Sequence, residues 1–132
     1  MTRTTNLRTL WAIVAVLGLA VAGCTTGGTA PPAGGVEIRI ANRSGVDFDR
    51  VDVTFPDNEV SYGAVAKGAA SEYRRVRQAY RYAMIVATAG GETYRFQPID
   101  YVGETLLEPG RYTYALSTDP NDRVLSIELV ED

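Results

Sequence analysis

Two carboxylates, Asp100 and Glu104, stand four residues apart and are the nearest approach in this chain to a catalytic pair. Such a pair could act as general acid and base on a glycan, or could contribute to a calcium site. The chain has no histidine, however, which removes the commonest general base and the commonest metal ligand. No third ligand accompanies the two acids at a defined spacing. We therefore expect no bound metal or other cofactor.

A structural role is the favoured interpretation of the same segment. We expect Asp100 to accept hydrogen bonds from loop amides or to pair with an arginine. The apolar neighbours Ile99, Tyr101 and Val102 should pack the loop against the core and so bury that carboxylate. On this view Glu104 matters less for stability, because it lies nearer an exposed turn. A small cell-wall glycan hydrolase, or a hydrolase inhibitor, that uses Asp100 and Glu104 stays open as the alternative.

Four arginines within eight residues form the second group that could bind a ligand. They are Arg74, Arg75, Arg77 and Arg81, and they are interleaved with Tyr73, Tyr80 and Tyr82. On an extended strand, Tyr73, Arg75 and Arg77 share one face, which would offer forked contacts to an anionic glycan, a lipid headgroup or an acidic protein. The alternative, which we favour, is an edge strand kept soluble by its charges, with the arginines paired to surplus carboxylates.

The only cysteine of the chain, Cys24, supplies its one strongly nucleophilic side chain, as a thiolate. It follows an apolar run, residues 10–21, and Arg3 and Arg8 are the only charges before that run. Twelve apolar residues match the central part of a signal peptide and are too few for a membrane-spanning helix, which needs roughly 20. A sole cysteine can form no intramolecular disulfide.

The residues Val21, Ala22, Gly23 and Cys24 resemble the bacterial lipobox, and the chain as a whole is similar to small bacterial lipoproteins. The resemblance implies a diacylglycerol on the Cys24 sulfur, cleavage after Gly23 and acylation of the new amino terminus. Each buried methylene of an acyl chain contributes about 0.8 kcal/mol, so several chains hold a protein far more firmly than one. The alternatives are an ordinary secretory signal with a coincidental cysteine and an uncleaved anchor helix.

Charge and localisation follow from the same cleavage. Cleavage before Cys24 leaves 11 of the 13 basic residues against all 16 acidic ones, a formal charge of −5. A mildly acidic module of this kind is a poor general binder of nucleic acid. Thr25 follows the cysteine, where enteric bacteria use aspartate to retain lipoproteins at the inner membrane. Sorting of that type would take the protein to the outer membrane, facing the periplasm.

The rest of the chain divides into a tether and one folded unit. Residues 24–35 combine the lipidated cysteine with a stretch of glycine, proline and threonine that has too little apolar surface to fold, so we expect a flexible tether. Residues 36–132 show short runs of alternating apolar and polar side chains separated by turn residues. Residues 80–89 are apolar in both alternations, which predicts a central strand covered on both faces. Gly90 and Gly91 then predict a tight hairpin.

One segment also allows a helix. In residues 69–84 the apolar side chains recur at spacings of three and four, but strand-forming residues follow without a helix stop signal, so we favour strands there. Later, the run from Pro109 and Gly110 to Tyr112 and Tyr114 resembles the turn and late strand of immunoglobulin-like and transthyretin-like bacterial modules. That resemblance implies a sandwich and indicates nothing about a ligand.

These observations together predict an all-β chain, a single antiparallel β-sandwich of about seven or eight short strands after a signal peptide (1–23) and a tether (24–35). We expect a non-enzymatic module, anchored to the membrane through Cys24, that binds an envelope protein or glycan. The residues that we nominate for binding are Tyr73, Arg74, Arg75, Arg77, Arg81, Asp100, Tyr101 and Glu104.

Overall fold

A computed structural model describes residues 34–119 and 121–132. The predicted signal peptide, the lipidation site Cys24 and the tether up to residue 33 lie outside these residues. Within them the chain forms only strands and connecting segments, as the alternating sequence predicts, and no helix long and apolar enough to cross a membrane occurs. The helical interpretation of residues 69–84 is therefore excluded, because that segment holds only one short strand and turns before the next strand begins.

Eight strands form two four-stranded sheets. They are β1 (Val36–Asn42), β2 (Phe48–Thr54), β3 (Glu59–Val65), β4 (Arg74–Val76), β5 (Met84–Ala89), β6 (Glu92–Phe96), β7 (Gly110–Thr118) and β8 (Leu125–Glu131). The first sheet has the order β4-β1-β7-β8 and the second the order β3-β2-β5-β6. Alternating side chains of both sheets contribute to one hydrophobic cluster, so the arrangement is sandwich-like.

The first sheet departs from the antiparallel prediction. β1 and β7 run parallel, with Val36 opposite Gly110 and Asn42 opposite Leu116. All other strand pairs are antiparallel. A parallel neighbour is available because the long path through the second sheet returns the chain to the end where β1 begins. No local sequence pattern encodes this choice, since β1 and β7 are 74 residues apart along the chain at their first residues.

β5 confirms its predicted place at the centre of a sheet, between β2 and β6, but not its predicted length. It begins at Met84 rather than at residue 80. The prediction that both faces are covered is wrong, because Ile85 and Ala87 on one face are fully buried while Met84 on the other is 36% exposed. The hairpin at Gly90 and Gly91 is as predicted, with φ of 56° and 83°. These positive values suit the tight turn that two glycines permit.

The pairing registers place the chain's connections at two opposite ends. β1 and β7 start at one end, and β4, antiparallel to β1, finishes there at Val76. β2 finishes and β5 starts at this same end, because Thr54 pairs with Met84 and the 43–47 connection brings β2 back from the far end of β1. We call this the tether-side end, since Gly35 lies there and its carbonyl accepts a bond from the Gly110 amide at 3.1 Å. It carries the connections 55–58, 77–83 and 97–109.

Candidate functional site

Three tyrosines stack together at the tether-side end and form the main feature of its surface. Tyr101 lies parallel to Tyr80, with ring centroids 5.0 Å apart, and parallel to Tyr82 at 5.7 Å. Phe96, at the end of β6, meets Tyr82 edge-on at 6.2 Å. Offset and edge-on contacts of this kind stabilise aromatic clusters beyond simple burial. We call Tyr80, Tyr82 and Tyr101 the tyrosine stack.

The core holds the base of the tyrosine stack in place. The fully buried Tyr114 of β7 donates its hydroxyl to the Tyr80 carbonyl. Ala79 and Ala83, on either side of this segment, are also buried, and the Ala79 carbonyl accepts a bond from the Leu107 amide at 2.8 Å. Residues 77–83 are therefore an ordered connection although they are outside any strand.

The loop 97–109 presents apolar side chains outward, which is the opposite of the prediction. Ile99 is 101% exposed and Val102 is 88% exposed, whereas Tyr101 between them turns back onto the tyrosine stack. The expectation that Ile99 and Val102 would pull the loop against the core is therefore wrong. Gly103, with φ of 80°, reverses the chain just after Val102, and the core is already filled by Tyr114 and its neighbours.

Asp100 and Glu104 are both in this loop, and Asp100 accepts a bond from a loop amide, as predicted, although its carboxylate is not buried as predicted. The Asp100 carboxylate is exposed and accepts a local bond from the Val102 amide at 3.1 Å, an Asx turn. Glu104 is half-buried and accepts the Tyr82 hydroxyl at 2.8 Å. This bond is the largest cause of the raised pKa of the Tyr82 phenol. Glu104, and not Asp100, is thus the acid that fastens the loop to the tyrosine stack.

We expect the two acids to differ in stability accordingly. Glu104→Ala should lower the free energy of unfolding by about 1 kcal/mol, because it leaves the Tyr82 hydroxyl with only a long bond of 3.4 Å to the Asp100 carbonyl. Asp100→Ala should change it by less than about 0.5 kcal/mol, because an exposed Asx turn exchanges its bond for one with water. Urea titrations of both variants and of Glu72→Ala, an exposed control, would measure this. An Asp100→Ala loss larger than the Glu104→Ala loss would contradict the geometry.

The carboxylates of Asp100 and Glu104 do not share a partner. Each is bonded to a different partner, and within residues 34–119 and 121–132 no three acidic, histidine or cysteine side chains come together to hold a metal ion. The grooves beside the tyrosine stack are shallow openings: one of about 520 Å³ is lined by Phe96, Pro98 and Ile99, and one of about 360 Å³ by Phe55 and Tyr101.

The predicted arginine cluster spreads over the tether-side end. β4 is an edge strand, as the favoured interpretation requires, yet it includes only Arg74, Arg75 and Val76. Arg77 follows the strand and, with Arg75, lines a groove beside Asp57. Arg81 lies in a second groove, next to Tyr82 and Glu104. The predicted ion pairs of these four arginines are absent from the described part of the chain, where all five ion pairs involve other arginines.

Tyr73 belongs to a polar network on the outer face of the first sheet. The guanidinium carbons of Arg39 and Arg111 each lie 4.9 Å from its ring centroid, and its hydroxyl donates to Asp132 at 2.8 Å. Arg39 also bonds Asp132 at 3.2 Å and donates to Thr113 at 2.8 Å. Because the network contacts Tyr73 from several sides, this residue stabilises the first sheet.

The same network predicts how acid affects stability. Partial burial opposes ionisation of Asp132, but hydrogen bonds from Thr113 and Tyr73 and the charge of Arg39 outweigh it and lower the pKa of this carboxyl. A lowered folded-state pKa means that the stabilisation is present above the usual aspartate pKa of 3.8 and is lost as the pH falls below it. Asp132→Asn should therefore reduce the loss of stability between pH 5 and pH 2, measured by urea titration at each pH. An unchanged acid slope would show that the network contributes nothing to it.

Sequence reasoning named Tyr101 and Glu104 but missed the neighbours that make them a surface. Tyr80 and Tyr82 were expected within a strand, and Ile99 and Val102 were expected to face inward. The alternation of Tyr80 and Tyr82 is a weak signal, because it fits a strand equally well. Tyr101 is 19 residues beyond Tyr82, and nothing local links the two.

The fold has a counterpart among solved structures. The chain is similar to a protein from Eubacterium rectale whose structure was determined by NMR, with a TM-score of 0.55 and 16% sequence identity over 76% of this chain and 94% of that one. At this identity the likeness concerns the fold alone. Neither a protein-family model nor a curated protein matches the chain.

Proposed function

We propose that the chain is a membrane-anchored envelope lipoprotein whose β-module binds another envelope component without catalysing a reaction. The observation that carries this proposal is the exposure of Ile99 and Val102 on a loop fixed to the tyrosine stack. Exposed apolar side chains that are held in place mark interaction sites, and tyrosine is enriched at the centres of protein interfaces. The aliphatic side chains of Ile99 and Val102 favour a protein over a glycan as the bound partner, since sugars are bound mainly by aromatic faces and polar groups.

The proposal includes the parts of the chain outside the described residues. Residues 1–23 would be the signal peptide, Cys24 the lipidated residue and residues 24–35 the tether. The two sheets of residues 36–132 would form a single β-sandwich, with the lipid in the outer membrane and the module facing the periplasm. The lipobox Val21–Ala22–Gly23–Cys24, the positive charges before the apolar run and Thr25 after the cysteine support this.

The alternative function, a glycan hydrolase or hydrolase inhibitor that uses Asp100 and Glu104, gains less support. A general acid needs a carboxyl that faces the substrate. Here the Glu104 carboxylate accepts a hydrogen bond from Tyr82, and the Asp100 carboxylate accepts one from the Val102 amide of its own loop. The openings near these acids are shallow, and an enclosed cleft is what strengthens charge effects in catalysis.

The lipid anchor is tested at Cys24. We expect Cys24→Ala to abolish acylation and processing, so that the unprocessed precursor accumulates. Metabolic labelling with an alkyne fatty acid, followed by gel mobility, measures both effects. Cys24→Ser would be a matched control, because it keeps a similar side chain but lacks the sulfur that forms the thioether. Label that persists on the Cys24→Ala protein would contradict the anchor.

The binding surface is tested by crosslinking and pulldown of the lipidated protein from native membranes. The double variant Ile99→Ser and Val102→Ser should lose most of the captured partner while its melting temperature stays unchanged, because both side chains are exposed. Val124→Ser is the control, since Val124 is also an exposed aliphatic residue but lies outside the loop, in a bridge with Arg95 of β6. Equal capture by all three proteins would place the binding site elsewhere.

A further inference from the structure

The position of the tether limits where this surface can act. Gly35 leaves the fold at the same end as the loop 97–109, and ten residues, from Cys24 to residue 33, precede Gly34. Ten extended residues span at most about 35 Å. If Cys24 is lipidated, as the proposed function holds, Ile99 and Val102 therefore stay close to the membrane surface. Either the bilayer or a partner at its surface must then meet them.

The charge of the loop 97–109 distinguishes between the bilayer and a protein partner at its surface. No basic residue lies between Arg95 and Arg111, whereas Asp100, Glu104 and Glu108 all do. Arg75, Arg77 and Arg81 lie at the same end but outside the loop, and only Arg81 shares a groove with Glu104, to which Glu128 adds a further carboxylate. A bilayer that contains anionic lipid has a negative surface potential and repels such a loop. A protein surface with positive charge attracts it.

We infer that the loop 97–109 recognises a protein segment at the membrane surface in which basic side chains stand next to apolar ones. The inference rests on the proposed function and specifies its partner. Ile99 and Val102 would pack against the apolar residues, beside the grooves that flank the tyrosine stack. Asp100 and Glu108 would meet the basic residues at the rim, where opposite charges speed association and select the partner. Glu104 is already engaged by Tyr82 and would mainly hold the loop in shape.

The test places a photo-crosslinking amino acid at position 102 of the full-length, lipidated protein in intact cells. Position 124, an exposed aliphatic site outside the loop, is the matched control. Crosslinked material is digested, and the attached peptide or lipid is identified by mass spectrometry. We expect a protein crosslink at position 102 that is absent at position 124, and an attached segment with a net positive charge and apolar residues.

A charge reversal distinguishes a protein partner from the bilayer, because it should lower the crosslinking yield with the first and raise contact with the second. Glu108→Lys should reduce the position-102 crosslink about fivefold, since it turns a rim attraction into a repulsion. Glu72→Lys makes the same charge change at an exposed site beside β1, outside the loop, and should leave the yield unchanged. If the loop instead rests on anionic lipid, Glu108→Lys should increase contact and the label should be found on lipid. Either result overturns the inference.

The failures of the two proposals are distinguishable. If position 102 yields a protein crosslink but the attached segment is acidic, or Glu108→Lys leaves the yield unchanged, the inference fails and the binding function stands. If position 102 gives no protein crosslink while the fatty-acid label is present on the wild-type chain, the binding function itself fails. If the label is absent, the anchor fails.

Discussion

Replacing Asn42 with alanine is expected to lower the free energy of unfolding by about 3 kcal/mol, the largest effect of any polar substitution in the module. Asn42 is only 1% exposed, and its side-chain amide donates to the carbonyls of Val46 and Val65, each at 2.8 Å. Its side-chain oxygen accepts the Ser44 amide at 2.9 Å and the Ser44 hydroxyl. Alanine would leave several of these buried groups unpaired, at about 1–3 kcal/mol for each group that water cannot reach.

The measurement is a melting curve by circular dichroism. For a domain of about 100 residues, a loss of 3 kcal/mol corresponds to a fall of about 15 °C in melting temperature. Asn42→Asp is an informative second variant, because it keeps the acceptor for Ser44 but replaces the amide donor. Asn58→Ala, at an exposed turn, is the matched control. A melting point within a few degrees of the wild type for Asn42→Ala would contradict the role of this residue.

Tyr114→Ala is expected to cost about 4 kcal/mol, since it removes a fully buried ring from the centre of the core. The ring stacks on Phe55 at a centroid distance of 6.3 Å, and burial raises the pKa of its phenol. Tyr114→Phe keeps the ring and removes only the hydroxyl that bonds the Tyr80 carbonyl. This milder variant should cost about 1.5 kcal/mol.

The position of that hydroxyl gives Tyr114→Phe a second, local effect. The Tyr114 hydroxyl holds the segment of Tyr80 and Tyr82 through its bond to the Tyr80 carbonyl. Loss of this hydroxyl should therefore shift the amide signals of residues 79–83 and of the loop 97–109 in an NMR spectrum. Tyr94→Phe is the control, since Tyr94 is half-buried and its hydroxyl bonds to no partner within residues 34–119 and 121–132. Shifts confined to β7 would show that the tyrosine stack does not depend on this bond.

Both predictions concern residues whose importance no local pattern reveals. The sequence around Asn42 is typical of the start of a turn, and β1 does end at this residue, before β2 begins at Phe48. Its amide, however, reaches Val65 at the end of β3, 23 residues away. Tyr114 reads as one inward residue of an alternating strand, and its burial confirms that, but its bond to Tyr80 spans 34 residues.

The sequence by itself determined the β-class, the places of most strands and the Gly90–Gly91 hairpin. The physical reason is that side-chain alternation and glycine turns act over two to eight residues, so their information is local. The faces of β1, β7 and the start of β8 follow directly: Ile38, Tyr114 and Leu125 are buried as the alternation predicts.

Only the tertiary structure decided the parallel pairing of β1 with β7, the outward turn of Ile99 and Val102, and the assignment of Glu104 to Tyr82. Each depends on which distant segments meet and on how much room the core has left. An apolar loop residue turns inward only where a space remains, and here buried side chains such as Tyr114 and Phe55 already fill the core beneath the loop. The exposed aliphatic tips beside the tyrosine stack are the result, and they are the surface from which the binding function is proposed.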